Sequence, residues 1–480
     1  MSYVPYPEYY LDLPSDSIRL LRLLPNEDKR APIQSKLFTY SLRDWGKRTH
    51  PYDALSYVWG SWDNPQSISI SEQNFENEHV LPVTRNLHEA LSRLRHRSID
   101  RILWIDAICI NQKNDREKEQ QIQFMAKIYA QADRVVVWLG ETADGSDRAL
   151  EEMRVAGGKK STDSFNSEAI PQAVVALLQR PWFQRIWVLQ EAAAARHVLI
   201  MCGSAEIDGY AFCLGVDSFL DSYKLRADLQ SVARSVTYLI RGAIFRPKYS
   251  MGRLSRSTLD ISSLDELMDM YHARQATMRH DKVYALLGMS SDDLSNAGLS
   301  PSYEVPWEDL FQRLVKYLLC QKISVETWCQ TEIAVVRSKG CVLGKVSSVQ
   351  SNIGSEDRQG VDVMFMNIWG QPKNTEVQSE HWNLHASAKS IQNGDIICLL
   401  QGTSKPLIIR LCKDHFDVVM IAFSPPEKIP VGDGYIEWPK LLQSETIFTR
   451  DFMLVWDWNI SHPKEYEALI QTSKVAYSGQ

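Results

Sequence analysis

The chain has 480 residues, of which 44% are hydrophobic and 23% charged, ordinary globular usage with enough apolar side chains for two or three domains of about 150 residues. Its 53 basic and 59 acidic side chains leave a formal charge of −6, which lacks the electrostatic footprint of a general nucleic-acid binder. No apolar run approaches the roughly 18 residues of a membrane span, and the opening MSYVPYPEYYLDLPSDS has neither the basic nor the apolar region of a secretory signal. The eight cysteines form no close pairs, so they read as free thiols in a reducing compartment, the cytoplasm being the expected location. There the sequon Asn459-Ile460-Ser461 would go unused.

Residues 1–50 are rich in Pro, Tyr and Arg, with short apolar stretches such as Ile18 to Leu24, and form an N-terminal segment, either a cap on a sheet or an interaction arm. An α/β core is expected over 51–205. Ala54 to Trp59 reads as a strand closed by a turn at Gly60, and Ile102 to Ile105 and Val135 to Leu139 are continuous apolar runs of the kind buried on both faces of a parallel sheet. Between them lie helical patterns. After Thr84, a candidate N-cap, Leu87, Ala90, Leu91 and Leu94 follow the i, i+3, i+4, i+7 rule, and Ile122, Met125, Ala126 and Tyr129 repeat it within 115–132. Strands alternating with helices predict βαβ units. Gly157 to Ser164 reads as a mobile surface loop, and helices resume near Pro171 and Pro181. A helical extension is expected over 206–330, with a capping box at Ser263-Leu264-Asp265-Glu266 opening a helix on Leu264, Leu267, Met268 and Tyr271. Short β-prone runs such as Ile396 to Leu400, after the Asn393-Gly394 turn signal, make 331–480 a β-rich C-terminal domain.

Four segments, in order, carry a family resemblance: Tyr52 to Gly60, Leu103 to Gln112, Ile128 to Ala132 running into Val137 to Gly140, and Trp182 to Glu191. Together they resemble the signature of fungal heterokaryon-incompatibility (HET) domains, with weaker likeness through Arg279 to Gly288 and at Gly394 to Cys398. The resemblance implies a role in fungal allorecognition and programmed cell death. It also implies a TIR-like or flavodoxin-like core, a parallel sheet flanked by helices, since HET domains are similar to Toll/interleukin-1 receptor (TIR) domains. Some TIR domains cleave NAD at the nicotinamide–ribose bond with a glutamate in a Trp-Cys-x-x-Glu-like motif. The corresponding stretch here is Trp187-Val188-Leu189-Gln190-Glu191, with valine in place of cysteine.

The segment after Pro181 is apolar almost all round, so a buried helix is expected, with Gln190 in its apolar face and Glu191 at the edge. Buried polar groups of this kind need partners. On one reading Glu191 is catalytic and stabilises the oxocarbenium-like ribose, as carboxylates do in glycoside hydrolysis, with Trp187 as an aromatic wall. On the other it makes a structural ion pair. Asp106 follows an apolar strand, where ligands of open parallel sheets bind, and Ser56, Tyr57, Trp59 and Asn111 could line the same edge; each has a structural reading as turn or core as well.

Cys109 reads as a buried small hydrophobe, the Gly157-Gly158-Lys159-Lys160 stretch is not a P-loop, and His280-Asp281 reads as a structural polar knot. His381 and His385 lack a third ligand, and no zinc signature is found. No cofactor is required; NAD is a candidate substrate. Three functions compete: an NAD-cleaving effector, a non-enzymatic module that self-associates as a homo-oligomer or docks onto an incompatibility partner, and a sensor using the C-terminal domain for recognition.

Overall fold

The computed structural model describes residues 10, 12–43, 52–72, 78–158, 169–222, 233, 235–242, 258–350, 358–366, 379–385, 389–421, 423, 427–431 and 434–459. The chain divides into two compact units, Met1–Leu259 and Asp260–Gln480. That division falls inside the stretch expected to form a helical extension.

The first unit is built on a nine-stranded sheet: β1 (Ser17–Leu23), β2 (Gln34–Ser41), β3 (Asp53–Tyr57), β4 (Gln66–Glu72), β5 (His79–Val83), β6 (Arg101–Trp104), β7 (Arg134–Trp138), β8 (Val198–Cys202) and β9 (Ala205–Asp208), in the order β5-β4-β2-β1-β6-β3-β7-β8-β9. The parallel expectation holds at the centre, where β6, β3, β7 and β8 run parallel. In chain order these four strands are arranged 2-1-3-4. The flanks differ, because β1 pairs antiparallel with both β2 and β6, and β8 with β9. For β8 and β9 the physical reason is connection length: Gly203, at φ +56°, lies in the tight turn between them, and a hairpin can join only antiparallel strands. The apolar stretch within 18–24 is therefore β1, a full member of the sheet. At the other end of β3, Asp53 accepts two bonds of 3.0 Å from Arg134 and lies 3.4 Å from Arg101, which ties β3 to both neighbours.

The helices follow their apolar stripes. In α1 (Arg85–Leu94) the Thr84 hydroxyl caps the Leu87 amide at 3.4 Å, and Leu87, Ala90, Leu91 and Leu94 are all buried. Each leucine contributes roughly 1.5–3 kcal/mol by leaving water. The helix α2 (Asp106–Cys109) is a single turn, and α3 (Asp115–Gln131) buries Ile122, Met125, Ala126 and Tyr129 behind an Asn114 cap. Next come α4 (Ser146–Gly158) and α5 (Ala169–Leu178). Gly157 and Gly158 close α4 rather than opening a loop, and the rest of the expected mobile segment lies outside the described residues. The helix expected from Pro181 is broken: a 3-10 turn at Pro181–Gln184 ends at Arg185, which is extended (φ −73°, ψ 142°), before α6 (Trp187–Ala194) begins. Every residue from Val188 to Ala194 is buried, as the all-round apolar pattern requires. The helix α7 (Gly209–Ser222) follows the sheet.

The second unit opens with α8 (Leu264–Tyr271), α9 (Asp281–Leu287) and α10 (Trp307–Leu318). Leu264, Leu267, Met268 and Tyr271 are buried as expected, but the capping box is not formed. The Ser263 hydroxyl turns to Asp265, and the Leu264 amide donates to Asp292 at 2.8 Å, so a distant carboxylate does the capping. His280 and Asp281 are engaged in structural hydrogen bonds, His280 Nε2 with the Val305 carbonyl at 2.7 Å and Asp281 with the Tyr303 hydroxyl at 2.6 Å. The β-rich region comprises β10 (Ser324–Thr327), β11 (Ile333–Gln350), β12 (Arg358–Phe365), β13 (Ser379–His385), β14 (Ile396–Leu400), β15 (Leu407–Leu411), β16 (Phe416–Met420), a small β17 (Lys428–Val431) and β18 (Gly434–Glu437) pair, α11 (Trp438–Leu442) and β19 (Arg450–Asp457). The long β11 pairs with β14 along one half and β19 along the other, so β11-β14-β15-β16-β19 form a closed circuit. Closure leaves those strands without free edges. Leu343, Ile397, Leu399, Ile408 and Met420 fill the core beside it. His381 and His385 lie on strand β13, so their spacing is about 13 Å along the chain rather than one helical turn.

Candidate functional site

The C-terminal ends of the parallel strands bring the candidate residues together. Strand order reverses at β3, whose successor β6 lies on one side and β7 on the other, the place where open α/β sheets hold ligands. Tyr57 is the last residue of β3, opposite Trp138 of β7. Beyond it the chain must turn, and Gly60, at φ +80°, supplies a left-handed conformation that side chains disfavour.

Ser56 is 1% exposed and Glu191 4% exposed, and the Ser56 hydroxyl donates a very short hydrogen bond to Glu191 Oε2. The same hydroxyl accepts from the Trp182 indole N–H at 2.8 Å, so Trp182, Ser56 and Glu191 form one directed chain. The break at Arg185 separates the 3-10 turn that carries Trp182 from the helix α6 that carries Glu191, and both side chains reach the one Ser56 hydroxyl. Among the described residues Glu191 makes no ion pair. Burial pushes its carboxyl up to about 7, opposed by the Arg185 charge and the Ser56 hydrogen bond and reinforced by the charge of Asp106.

Asp106 starts α2 just past β6, half-buried. It accepts from the Trp59 indole at 2.8 Å and from the Ala107 amide at 2.8 Å. Burial also raises its carboxyl above the usual range, against the pull of Arg185 and those donors. The Tyr57 hydroxyl is buried and completes no hydrogen bond of good geometry; burial and the neighbouring Asp106 charge hold its pKa well above that of a free tyrosine. The cation of the cluster is Arg185, whose guanidinium donates to the Tyr57 carbonyl. Beside Arg185, Glu191 can exchange a proton near neutrality, and in its ionised form it can stabilise a cation formed beside it.

One of the sequence-derived residues is engaged in local structure, and another stands at a helix start. Asn111 builds a turn, its side chain accepting from the Lys113 amide at 3.2 Å and its amide donating to Glu117 at 2.8 Å. Trp187 sits half-buried at the start of α6. Cys109 is buried with its thiol pushed up to about 12 by desolvation, which suits a packed hydrophobe and not a nucleophile. Sequence reasoning missed Trp182 and Arg185 as site residues: Trp182 reads as part of the apolar stripe, and only the break in the helix turns its N–H toward Ser56. It also missed that Gln190 Oε1, buried beside Glu191 in sequence, finds no hydrogen-bond partner.

Residues 52–191 match the family described as Heterokaryon incompatibility protein (HET). The chain is 27% identical over 350 residues to Heterokaryon incompatibility protein 6, OR allele, of Neurospora crassa, covering 62% of this chain and 51% of that protein. It is 25% identical over 149 residues to Vegetative incompatibility protein HET-E-1 of Podospora anserina, covering 31% of this chain and 9% of that one. The chain thus spans about half the length of the first relative and a small part of the second. No solved structure matches it. The matched stretch begins at Tyr52, one residue before β3, and ends at Glu191, so it encloses the whole cluster; residues 52–191 carry a HET domain.

Proposed function

We propose that this protein acts as an effector of fungal heterokaryon incompatibility and programmed cell death, and that its chemistry is cleavage of NAD at the nicotinamide–ribose bond. The observation that carries the reading is Glu191: a buried carboxyl without an ion pair, held by Ser56 at the strand-order reversal and titrating near neutrality. The 2-1-3-4 order of the parallel strands supports a flavodoxin-like core, and with it the TIR-like comparison. Nicotinamide departs with the electron pair of its bond to C1′ and so becomes neutral. The ribose left behind is an oxocarbenium ion, which the ionised Glu191 stabilises. Water then adds at C1′ and yields its proton to the carboxylate. Asp106 and Trp59, half-buried at the same edge, are placed to hold the nucleotide. Depletion of NAD in the cytoplasm would arrest the cell, with self-association or an incompatibility partner as the trigger.

A second reading is favoured by one observation: Ser56 and Glu191 are almost fully buried. A directed chain from Trp182 through Ser56 to Glu191 also suits a rigid, non-enzymatic module that signals by docking. Among the described residues no helix is long and apolar enough to cross a membrane, which fits either reading.

The deciding experiment is nicotinamide release from NAD by the purified protein at low and high concentration, beside Glu191→Gln shown to melt as a folded chain. Release by the wild type, reduced at least about 100-fold in the variant, is expected, since loss of one stabilising group costs of that order. Equal release would remove Glu191 from the chemistry. No release at any concentration, including forced oligomers, would leave the docking module.

A further inference from the structure

The turn between β15 and β16 holds a group of ligating side chains remote in sequence from the HET match. Cys412, His415 and Asp417 each present one ligand atom, and these atoms lie within 4.8 Å of one another. The backbone explains the convergence. Arg410 pairs with Asp417 and Leu411 with Phe416 across the hairpin, and the Cys412 amide donates to the His415 carbonyl at 3.0 Å, so Cys412 and His415 face each other at its tip. Side chains alternate along a strand, which puts His415 and Asp417 on one face, with Phe416 on the other, and Cys412 opposite His415.

The imidazole is the centre of the arrangement and is 7% exposed. Its Nδ1 lies 2.9 Å from Asp414 and its Nε2 3.2 Å from Asp417. A neutral imidazole carries a single N–H. With that hydrogen on Nδ1 and donated to Asp414, Nε2 presents a lone pair toward the Asp417 carboxylate, an arrangement in which a cation can bind to both. A carboxylate on the far nitrogen is the usual support for a metal-binding histidine. Arg410 holds Asp395 through bonds of 2.8 and 2.9 Å and Lys389 donates to the Val418 carbonyl at 3.1 Å, while both cations also feel the Asp417 charge and the Cys412 side chain is hydrogen-bonded to Asp417.

We propose that Cys412, His415 and Asp417 form a zinc site, with Asp414 orienting the histidine. Thiolate, imidazole and carboxylate are the zinc donor set, and tetrahedral zinc needs its ligands about 3.3–3.6 Å apart, within reach of side-chain rotation from the observed spread. One thiolate and one carboxylate cancel the charge of the ion. Three protein ligands leave a fourth position for water or for a donor from a partner. The site ties the tip of the β15–β16 hairpin, and the ion acts as a staple on this strand pair.

The test uses the full chain, reduced and stripped of metal, titrated with Co²⁺ as a spectroscopic probe and with Zn²⁺ as competitor. One equivalent of Co²⁺ is expected, with a thiolate-to-cobalt charge-transfer band that Zn²⁺ abolishes. Cys412→Ser should remove the band, whereas Cys329→Ser, at an exposed cysteine, should leave it. Asp414→Asn should keep the band and weaken binding about tenfold. Zn²⁺ should raise the melting temperature of the wild type and not of Cys412→Ser, which also shows that the variant folds. Absence of the band and of the melting shift in the wild type would overturn the proposal. So would binding undiminished in Cys412→Ser and His415→Gln, and the carboxylates would then serve only to hold a protonated histidine.

Discussion

Glu191 makes the stability of this protein depend on pH in the direction opposite to an ordinary surface carboxylate. Its carboxyl rises from an ordinary 4.5 to about 7 on folding, so the folded chain binds the proton more tightly than the unfolded one. The stability from this group is full below about pH 4.5 and is lost as the pH rises through about 7, roughly 3 kcal/mol in all. Melting temperatures from pH 5 to 8 should therefore fall in the wild type relative to Glu191→Gln, because Asp106, whose shift has the same sign, is common to both. Parallel curves would show that Glu191 is not the titrating group. If the ionised form is the catalyst, nicotinamide release rises over the same pH interval. Ser56→Ala would strip Trp182 of its acceptor and Glu191 of its donor. A loss of about 1–3 kcal/mol is expected by denaturant unfolding, since two buried groups are orphaned by one substitution. The sequence marked Ser56 and Glu191 as candidates, but nothing local in it joins residues 135 apart.

Secondary elements were legible where one face of the pattern was apolar and the other was not. The stripe of α1 and its Thr84 cap are found as read, and the continuous apolar runs are the central strands. The helix after Pro181 was legible as buried but not as broken, because an all-round apolar segment has no periodicity to lose at Arg185. The loop after β7 shows the same dependence on distant groups. Gly140 stands at φ +98°, where an added Cβ would meet Arg180 Nη1 at 3.3 Å. That guanidinium in turn holds the Leu139 carbonyl at 2.6 Å and the Glu141 carbonyl at 3.0 Å. Gly140→Ala should cost about 1–3 kcal/mol in thermal or urea unfolding, combining backbone strain with displacement of the clamp. A variant as stable as the wild type would mean that the loop relaxes without Arg180.

At the scale of the whole chain, each compact unit has its own sheet and its own core. Residues 260–480 close five strands into a circuit around apolar side chains. Expressed alone, this unit should unfold in one cooperative thermal transition, followed by near-UV circular dichroism. A broad, non-cooperative melt would show that its core does not hold together by itself.

The sequence by itself showed the resemblance of residues 52–191 to the HET family through its motifs; it also determined the positions of the central strands and main helices and the β-rich character of the later residues, because burial is non-directional and repeats with the period of each element. It also named Glu191 and Asp106, the two carboxyls whose pKa burial raises at the sheet edge. Tertiary structure alone decided that antiparallel strands flank the parallel centre, that Trp182 and not an arginine completes the Ser56–Glu191 chain, and that Cys412, His415 and Asp417 share one face of a hairpin. Those outcomes depend on register and on which edges meet. A hydrogen bond or a ligand set requires particular atoms within about 3 Å, and local periodicity does not specify which distant residues come that close.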